Sequence, residues 1–567
     1  MRQAVPAFLA PLAFGASAVA LVPSAVTVPN GTITGIQCTR ANATSFLSIP
    51  YAKPPLGELR FAAPQAYDSK YNGNGNLSAT AAPPSCPQFG TSLVEDGPQS
   101  EDCLFLNVFV PANAQGTSGL PVKVFLHGGG DQTGGTADPL YNGCDLATDA
   151  VVVTANYRLG PLGWISLQSA NLTGNYGLQD QLLALQWVQD NVAAFGGDAT
   201  KVLLFGESAG AFNTWAITTL PQAPALMRAA AMESGGGVTF PTIAEAEPWS
   251  QQFAQALNCS LTDPACLRSK TPEQLNASAI SLLTSTSVPS LNTLITHLGR
   301  GAAWGPVIDG TVLPAQPTEV GARVPIIMGS NTQEGALFVL PLYAASIGLL
   351  NESTYDEFLT YNFGTLAAKV NETYGLSRFS NTSFPVYYAA VTVMTEYEFR
   401  CPTRRGLAAS VARGTPAWTY SFGHTPSCPW ADAIPDNSAV LALLGPAHSS
   451  EIPYVFGAVD GLPRPDGNCS FTDAERAMSR FMVSAWTSMA ESGAPGGSWP
   501  AFTSNASLGV NFNATYEAGV VDYSMCDFWD AVAREIAQLD ANQTESGSSN
   551  ATANQSTTTS AASAAGS

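Results

Sequence analysis

The sequence is poor in histidine and in positive charge. Its 567 residues include 4 His and 23 Lys plus Arg against 43 Asp plus Glu, which gives a formal net charge of −20 at pH 7. Such a chain repels phosphate backbones, so we expect no nucleic-acid partner. Only 12% of the residues are charged and 45% are hydrophobic, a balance that predicts a large packed core rather than disorder.

Metal-binding motifs are also missing. The chain contains no CxxC pair, no HExxH and no HxH, so we expect no metal and no cofactor. The ten cysteines form an even set, which favours disulfides in a secreted chain. Cys259 and Cys266 are close enough in sequence to close a small loop. Spacing alone leaves the other pairings open.

Beyond the N-terminus, no segment has the ~20 uninterrupted apolar residues of a membrane span. The N-terminus itself has a basic start at Arg2, an apolar middle and small residues at Ala18 and Ala20. This pattern predicts a secretory signal peptide over residues 1–20 and no stable membrane anchor. Residues 541–567 form a Ser/Thr/Asn/Ala tract, which predicts a solvated tail. Residues 21–540 contain no linker or repeat and predict one large domain.

The sequence is rich in N-glycosylation sequons, which agrees with secretion. They lie at Asn30, Asn42, Asn76, Asn171, Asn258, Asn276, Asn351, Asn371, Asn381, Asn468, Asn505, Asn513, Asn542, Asn550 and Asn554. We therefore expect an extracellular protein that carries N-glycans. The oligomeric state is left open by the sequence.

Short apolar runs alternate with longer helical patterns, which predicts a mixed sheet covered by helices. The segments PVKVFLHGGG and AVVVTANYRLG are typical of buried strands, and LQDQLLALQWVQDNVAAF is typical of a helix. KVLLFGESAGAFNTWAITTL indicates a strand, a sharp turn and a helix. This order predicts a parallel sheet whose loops gather at the carboxyl ends of the strands.

A GxSxG motif at residues 206–210 places Ser208 between a buried strand and a helix. A nucleophile elbow requires this context, because its serine is strained and its neighbours must be small. The alternative is that Ser208 only caps the helix. The HGGG sequence at residues 127–130 and the Ala209 amide are candidate donors for an oxyanion. Glu207, beside the serine, is a candidate second carboxylate or a structural one.

Three histidines follow Ser208, and with this elbow the triad runs serine, acid, histidine along the chain. His448 lies in a small-residue loop before an apolar segment, which suits an imidazole that projects from a loop. His424 ends a predicted strand and favours a structural role. His297 has helical neighbours and leaves only a short stretch for the acid. We therefore predict that His448 is the base.

Two carboxylates compete for the role of the acid. Glu334 follows the apolar strand PIIM, so a loop would present it beside the imidazole. Asp309 is the alternative, although its Asp-Gly sequence is typical of a turn. We predict Glu334.

The motifs occur in an order that resembles a known family. They are SIPYAKPPLGELRF, EDCLFLNVFVP, FLHGGG, NYRLGPLGW, NYGLQDQLLALQWVQDNVAAFGGD, FGESAG, NTQEG and HSSEIPYVFG. Over nearly all of the mature chain, the sequence resembles the type-B carboxylesterases, the family of cholinesterases and fungal lipases. The resemblance implies an α/β-hydrolase fold with a large, mostly parallel sheet flanked by helices. It also implies a secreted serine hydrolase that cleaves alkyl or aryl carboxylic esters through an acyl-enzyme.

The resemblance assigns roles to individual residues. It implies Ser208 as nucleophile, Glu334 as acid, His448 as base, and Gly129, Gly130 and Ala209 as oxyanion donors. It also implies three disulfides, Cys86–Cys103, Cys259–Cys266 and Cys401–Cys526, and an ion pair between Arg60 and Glu101. Cys38, Cys144, Cys428 and Cys469 have no assignment from the family.

Three departures from the family pattern bear on the substrate. Cholinesterases carry a Trp in the first disulfide loop, but the segment between Cys86 and Cys103 has none, and Leu93 lies near the expected place. Choline esters are therefore disfavoured. The same loop is the lid of the lipases and is short in this chain, with Phe89, Leu93 and Val94 as its large apolar residues. Asp131 follows HGGG, where relatives usually place an aromatic residue.

Two alternatives stay open. A lipase or sterol esterase that acts on lipid esters at an interface would share every catalytic residue. A non-enzymatic adhesion protein of the same fold is the second alternative, and the intact Ser208, Glu334 and His448 argue against it.

Overall fold

A computed structural model describes residues 24–90, 97–111, 114, 119–284 and 304–539. The predicted signal peptide, the predicted tail, His297, Leu93 and Val94 lie outside these residues.

The strands belong mainly to one large sheet. In chain order they are β1 (Ala25–Val28), β2 (Gly31–Thr34), β3 (Ile36–Gln37), β4 (Ala43–Pro50), β5 (Asn76–Ser78), β6 (Phe105–Pro111), β7 (Leu120–Leu126), β8 (Val151–Ala155), β9 (Ser166–Leu167), β10 (Leu172–Thr173), β11 (Gly197–Glu207), β12 (Ala229–Glu233), β13 (Ile326–Asn331), β14 (Ala417–Phe422), β15 (Asp460–Leu462), β16 (Cys469–Ser470), β17 (Leu508–Phe512) and β18 (Tyr516–Val520). The large sheet has 11 strands in the order β18-β17-β14-β13-β12-β11-β7-β8-β6-β4-β3.

The middle of this sheet is parallel. All neighbours from β17 to β8 pair in parallel, whereas β18 at one edge and β6, β4 and β3 at the other pair antiparallel. The predicted α/β-hydrolase architecture, with a large and mostly parallel sheet, is therefore confirmed.

Helices cover the sheet. They are α1 (Gly160–Trp164), α2 (Tyr176–Asn191), α3 (Ala209–Thr219), α4 (Ala223–Leu226), α5 (Ile243–Ala256), α6 (Ala265–Arg268), α7 (Pro272–Thr284), α8 (Pro317–Val320), α9 (Ala336–Tyr343), α10 (Glu352–Phe363), α11 (Ala367–Tyr374), α12 (Pro385–Met394), α13 (Cys401–Arg413), α14 (Ser438–Leu444), α15 (Ile452–Phe456) and α16 (Asp473–Ser492). A π-helical segment, Thr395–Arg400, joins α12 to α13, and a last helix spans residues 526–539. No helix of the described ranges is long and apolar enough to cross a membrane.

The segments predicted around the GESAG motif fold as expected. Every residue of β8 is buried, which explains its unbroken run of valines, because both faces of a central parallel strand are covered. The strand β11 ends at Glu207 and α3 begins at Ala209, so the serine occupies the turn between them. The strand predicted over the PIIM sequence is longer than expected, since β13 starts within it at Ile326 and continues to Asn331.

Five disulfides join all ten cysteines. Three are the pairs Cys86–Cys103, Cys259–Cys266 and Cys401–Cys526. The four cysteines that the sequence left unassigned form Cys38–Cys144 and Cys428–Cys469. The Cys401–Cys526 bridge joins the start of α13 to the start of the last helix.

Candidate active site

Ser208 has the backbone of a strained turn. Its φ and ψ are 55° and −124°, values that L-residues rarely adopt. The residues two positions before and after it must be glycines. An ideal Cβ on Gly206 would lie 2.5 Å from the carbonyl carbon of Gly210, and one on Gly210 would lie 2.0 Å from the Leu126 carbonyl oxygen. The side chain of Ser208 makes no cap hydrogen bond to α3. Ser208 therefore occupies the N-cap position of α3, but its hydroxyl does not cap the helix, and the residue is half-buried at the end of the sheet.

The HGGG loop packs directly against this serine. An ideal Cβ on Gly128 would lie 3.0 Å from Ser208 Cβ and 2.7 Å from Glu207 Oε2. Gly129 and Gly130 have φ values of 108° and 63°, which glycine tolerates best. Within the described part of the chain, the amides of Gly129 and Gly130 donate to no backbone carbonyl. The loop that contacts Ser208 through Gly128 therefore contains two amides without a backbone acceptor among the described residues.

The amide of Ala209 lies directly after Ser208 in the chain, at the start of α3. Ala209 is the first residue of α3, and the first amides of a helix have no carbonyl partner inside it. The positive end of the helix dipole also favours negative charge at this point. The start of α3 therefore provides an electropositive backbone amide next to Ser208.

His448 and Glu334 form a buried hydrogen-bonded pair. The distance from His448 Nδ1 to Glu334 Oε2 is 2.7 Å, and the two side chains are only 5% and 0% exposed. Glu334 Oε1 accepts the backbone N–H of Asn331 at 2.6 Å, so both carboxylate oxygens have donors. Glu334 lies in the turn after β13, and His448 lies in the turn before α15.

The other ring nitrogen of His448 faces Glu207. Nε2 lies 3.1 Å from Glu207 Oε1, but among the described residues it has no hydrogen bond of good geometry. Catalytic hydrogen bonds often tighten only when substrate is bound. Glu207 is thus a second carboxylate beside the imidazole. Its position next to Ser208 made it a candidate, but the contact with His448 depends on how distant segments pack.

Further buried carboxyls surround this pair. Glu451 accepts hydrogen bonds from Asn331 Nδ2 and from Ser234 Oγ. Glu233 Oε1 accepts from Trp486 Nε1 at 2.8 Å. Sequence reasoning did not identify Glu233 or Glu451, because carboxyls in apolar segments carry no motif that distinguishes a site from a structural contact.

Burial and charge shift the pKa values of this cluster in opposite directions. Burial raises the pKa of Glu207 and of Glu451 above the ordinary value of a glutamate. Burial also lowers the pKa of His448, but the carboxylates of Glu207 and Glu334 outweigh it and raise this pKa overall. The surroundings therefore stabilise an imidazolium, which is the form that a base reaches after it takes a proton.

Two phenylalanine rings enclose the imidazole. The ring centroids of Phe338 and Phe399 lie 5.0 and 4.8 Å from that of His448. Phe338 belongs to α9, and Phe399 belongs to the π-helical segment. Such a wall excludes water and strengthens the polar contacts on the other sides of the ring.

The remaining histidines have other partners where the structure describes them. His127 Nδ1 lies 2.8 Å from the Gly128 carbonyl oxygen, and burial lowers its pKa to about 4. His424 Nε2 lies 3.0 Å from Glu475 Oε1, consistent with the predicted structural role. His297 lies outside the described residues.

The alternative acid, Asp309, belongs to a turn. Its Oδ1 accepts the backbone N–H groups of Thr311, Val312 and Leu313, as its Asp-Gly sequence indicates. Asn175 Nδ2 donates to its other oxygen at 2.9 Å. Both carboxylate oxygens of Asp309 therefore have hydrogen-bond partners other than His448.

The first disulfide loop contributes to the core as well as to the surface. Phe89 is fully buried, and an ideal Cβ on Gly160 would lie 2.2 Å from its ring. Phe89 is therefore a packing residue and not an exposed residue of a flap. The predicted ion pair at the base of the loop is present, because Arg60 Nε donates to Glu101 Oε2 at 2.7 Å.

Comparisons with known proteins agree with this geometry. Residues 22–529 match the model of a family described as "Carboxylesterase family". The chain is 34% identical over 494 residues to para-nitrobenzyl esterase of Bacillus subtilis (strain 168), covering 84% of this chain and 92% of that protein. It is 31% identical over 570 residues to a cholinesterase of Mus musculus, covering 92% and 89%. A solved structure of PNB esterase superposes with a TM-score of 0.72 at 31% identity, covering 89% of this chain and 99% of the other.

Proposed function

We propose that this chain, which belongs to the carboxylesterase family and is a carboxylic-ester hydrolase, cleaves its substrates through an acyl-enzyme on Ser208. The observation that carries the proposal is the 2.7 Å contact between His448 Nδ1 and Glu334 Oε2 at the end of the sheet where the strained Ser208 lies. A serine nucleophile needs a base, and the base needs a third group that orients it.

In the first step, Ser208 Oγ attacks the ester carbonyl carbon while His448 Nε2 takes the hydroxyl proton. Glu334 accepts a hydrogen bond from the N–H at Nδ1 of His448, which favours the tautomer that leaves the lone pair of Nε2 for the base. The tetrahedral intermediate collapses, its C–O bond to the alcohol breaks, and the alcohol leaves with the proton from His448. The acyl group then remains on Ser208.

In the second step, water attacks the acyl carbon while His448 again takes a proton. The bond to Ser208 Oγ breaks, Oγ recovers the proton, and the carboxylic acid is released. The same donors serve both tetrahedral intermediates: the amides of Gly129 and Gly130 on the loop and the amide of Ala209 on α3. Each such donor contributes roughly 10²–10³ in rate in a related site.

For the substrate, we propose small soluble alkyl or aryl esters. The similarity to a para-nitrobenzyl esterase supports this choice. The phenylalanine wall at His448 gives the site an apolar side that suits an acyl or aryl group. The missing Trp in the first disulfide loop disfavours choline esters. Phe89, one of the three large apolar residues of that loop, is buried and so is not available to a lipase lid.

Labelling with a fluorophosphonate probe tests the mechanism. Wild-type protein is expected to gain one adduct on the peptide that contains Ser208, and Ser208→Ala is expected to gain none. Ser492→Ala, which removes an exposed serine at the end of α16, is the matched control and should label like wild type. An unlabelled wild type, or equal labelling of Ser208→Ala, would overturn the proposal.

A chain-length series of p-nitrophenyl esters tests the substrate class. We expect activity on acetate and butyrate below their solubility limits and little gain with emulsified triglyceride. A rise in rate that begins only above the solubility limit would indicate a lipase or sterol esterase instead.

We also propose that the protein is secreted and N-glycosylated. All ten cysteines are paired, as is typical of an oxidising compartment. Several sequon asparagines, Asn42, Asn76, Asn381 and Asn468 among them, are exposed. The test is to recover the protein from the medium of expressing cells, sequence its N-terminus and measure its mass after glycan removal. We expect a start near residue 21 and a loss of mass, whereas an intact Met1 inside the cells would contradict the proposal.

A further inference from the structure

Asp131 is a buried carboxyl that takes no part in the two steps of the reaction. It follows the HGGG loop directly, its side chain is 0% exposed, and its φ of 58° is unusual for a residue other than glycine. Its Oδ1 accepts a hydrogen bond from Asn213 Nδ2 at 2.7 Å. Its backbone carbonyl accepts the Gly160 N–H, also at 2.7 Å. A strained and buried acid needs a reason to persist at this place.

The position of Asn213 supplies that reason. Asn213 lies on α3, the helix that begins directly after Ser208 and carries the Ala209 amide. Asp131 lies on the loop that carries the Gly129 and Gly130 amides. The hydrogen bond between the two side chains therefore joins the two elements that supply the oxyanion donors.

We propose that Asp131 is a positioning residue that acts through Asn213: it holds the HGGG loop at a fixed distance from α3 and so sets the spacing between the loop donors and the Ala209 donor. This inference rests on the proposed function, because it assumes that these amides bind the oxyanion. It adds a residue that touches no reacting atom but determines where the donors lie.

Local bonds restrain the loop only within itself, since the Gly129 carbonyl accepts the amides of Gln132 and Thr133, and its place against α3 needs a contact between the two elements. Glycine has the largest backbone freedom and no side chain to pack, whereas donors must lie within about 2.7–3.1 Å of the oxyanion. Before the glycines, the loop is held by Tyr157, whose hydroxyl donates to the His127 carbonyl at 2.7 Å. After them it is held by Asp131 and Asn213. The glycines thus lie between two buried hydrogen bonds.

The charge state of Asp131 fits this role. Burial raises its pKa to about 8, although hydrogen bonds with Asn213 and Tyr157 oppose the shift. The neutral acid is therefore the main form of this carboxyl at pH 7. A neutral acid can hold the loop without placing negative charge beside a developing oxyanion, whereas the carboxylate that forms at alkaline pH would oppose that charge.

The other titratable groups around Asp131 either change charge in a different pH range or are present in both wild type and the Asp131 variants. Burial raises the pKa of Tyr157 well above 10. His127 stacks on Tyr157 with ring centroids 4.4 Å apart, and burial lowers its pKa to about 4. Glu207 Oε2 lies 2.7 Å from the position of an ideal Cβ on Gly128, and burial raises the pKa of Glu207 as well. The titration of Glu207 and His448 therefore has to be separated from that of Asp131.

The experiment compares Asp131→Asn, Asp131→Ala and Asn213→Ala in the full chain, with p-nitrophenyl acetate as substrate. Asparagine keeps the shape of Asp131 and an oxygen that can accept from Asn213, so we expect kcat within threefold of wild type at pH 7. Asp131→Ala and Asn213→Ala should each lower kcat about 10- to 100-fold, with KM changed by less than threefold. The double alanine variant should be no worse than the more impaired single variant, because both remove one contact.

The pH profile gives a readout that a merely structural role would not change. The ratio of Asp131→Asn to wild-type kcat cancels the titrations of Glu207 and His448, which both proteins share. This ratio is expected to rise above pH 8, because only wild type acquires the carboxylate. A flat ratio, or a kcat for Asp131→Ala and Asn213→Ala within threefold of wild type, would overturn the inference.

The outcomes separate this inference from the proposed function. If wild type labels with fluorophosphonate on Ser208 and Asp131→Ala keeps its kcat, only the inference fails. If wild type does not label, the proposed function fails. If Asp131→Ala does not fold, as circular dichroism would show, the pH ratio for Asp131→Asn and the kcat of Asn213→Ala decide the question.

Discussion

His448 Nδ1 lies 2.7 Å from Glu334 Oε2, although 114 positions separate the two residues in the chain. The parallel sheet explains the encounter, because β13 ends just before Glu334 and delivers it to the same edge at which β11 delivers Ser208. The Asn331 amide holds the second oxygen of Glu334. The carboxylate is thus fixed before any substrate arrives, which is the condition for orienting an imidazole.

Glu334→Gln should remove the catalytic tautomer of His448 while keeping the shape of the pair. We expect kcat for p-nitrophenyl acetate to fall by about 10³–10⁴-fold, since an amide cannot stabilise the imidazolium. Glu352→Gln, at an exposed glutamate in the first turn of α10, is the matched control and should leave kcat unchanged. A kcat for Glu334→Gln within threefold of wild type would remove Glu334 from the mechanism.

Gly128→Ala should impair catalysis by steric contact. The added methyl group would lie 2.7 Å from Glu207 Oε2 and 3.0 Å from Ser208 Cβ, so the loop or the serine must move. We expect kcat to fall by at least about tenfold, because donor distances are critical. Gly348→Ala, where an added Cβ meets nothing within 4 Å, is the control. Equal kcat values for the two variants would show that the loop does not need this close approach.

Glu475 should contribute a pH-dependent part of the stability. Burial alone raises its pKa, but its hydrogen bonds, chiefly from His424 and Ser427, outweigh burial and hold the pKa well below the ordinary value of a glutamate. A depressed pKa means that the stabilisation is present above about pH 4.5 and is lost as the pH falls below it.

Thermal unfolding of Glu475→Gln checks this expectation. At pH 7 we expect a Tm about 2 to 5 °C below wild type, because several buried hydrogen bonds weaken. The difference should shrink as the pH is lowered from 5 towards 3. Glu491→Gln, on the same helix with a 49% exposed carboxylate, should show little change at any pH. A difference for Glu475→Gln that grows at acid pH would contradict a depressed pKa at this carboxylate.

The disulfides should differ in their contribution to stability according to the loop that each one closes. Cys401–Cys526 joins residues 125 positions apart, and Cys259–Cys266 joins residues 7 positions apart. On the chain-entropy model these loops correspond to about 5 and about 2 kcal/mol. The double serine variant of the first pair should therefore lose more Tm in calorimetry than that of the second. The reverse order would indicate that strain or residual structure dominates.

Much of the fold and part of the site could be predicted from local sequence. The turn at Ser208 is specified by its small neighbours and by the apolar strand before it, and both signals lie within ten residues. The same holds for the loop position of His448 and for the turn at Asp309. The order of these segments along the chain then limits the sheet to a parallel arrangement.

Contacts between distant segments could not be predicted in this way. Nothing in the spacing of the cysteines specifies Cys38–Cys144, whose partners are 106 positions apart. The contact between Glu207 and His448 and the contact between Asp131 and Asn213 both depend on how segments that are distant in the chain pack together. Such pairs become visible only when the packing is known, because polar residues in buried segments look alike in sequence.

The most direct test of Ser208 as the nucleophile is to trap the acyl-enzyme. Protein mixed with excess p-nitrophenyl butyrate and quenched in acid within milliseconds should carry one butyryl group on the peptide that contains Ser208, as mass spectrometry of the digest would show. Ser208→Ala should carry none. An acyl group on another residue, or hydrolysis by Ser208→Ala at the wild-type rate, would contradict the assignment of Ser208 as the nucleophile.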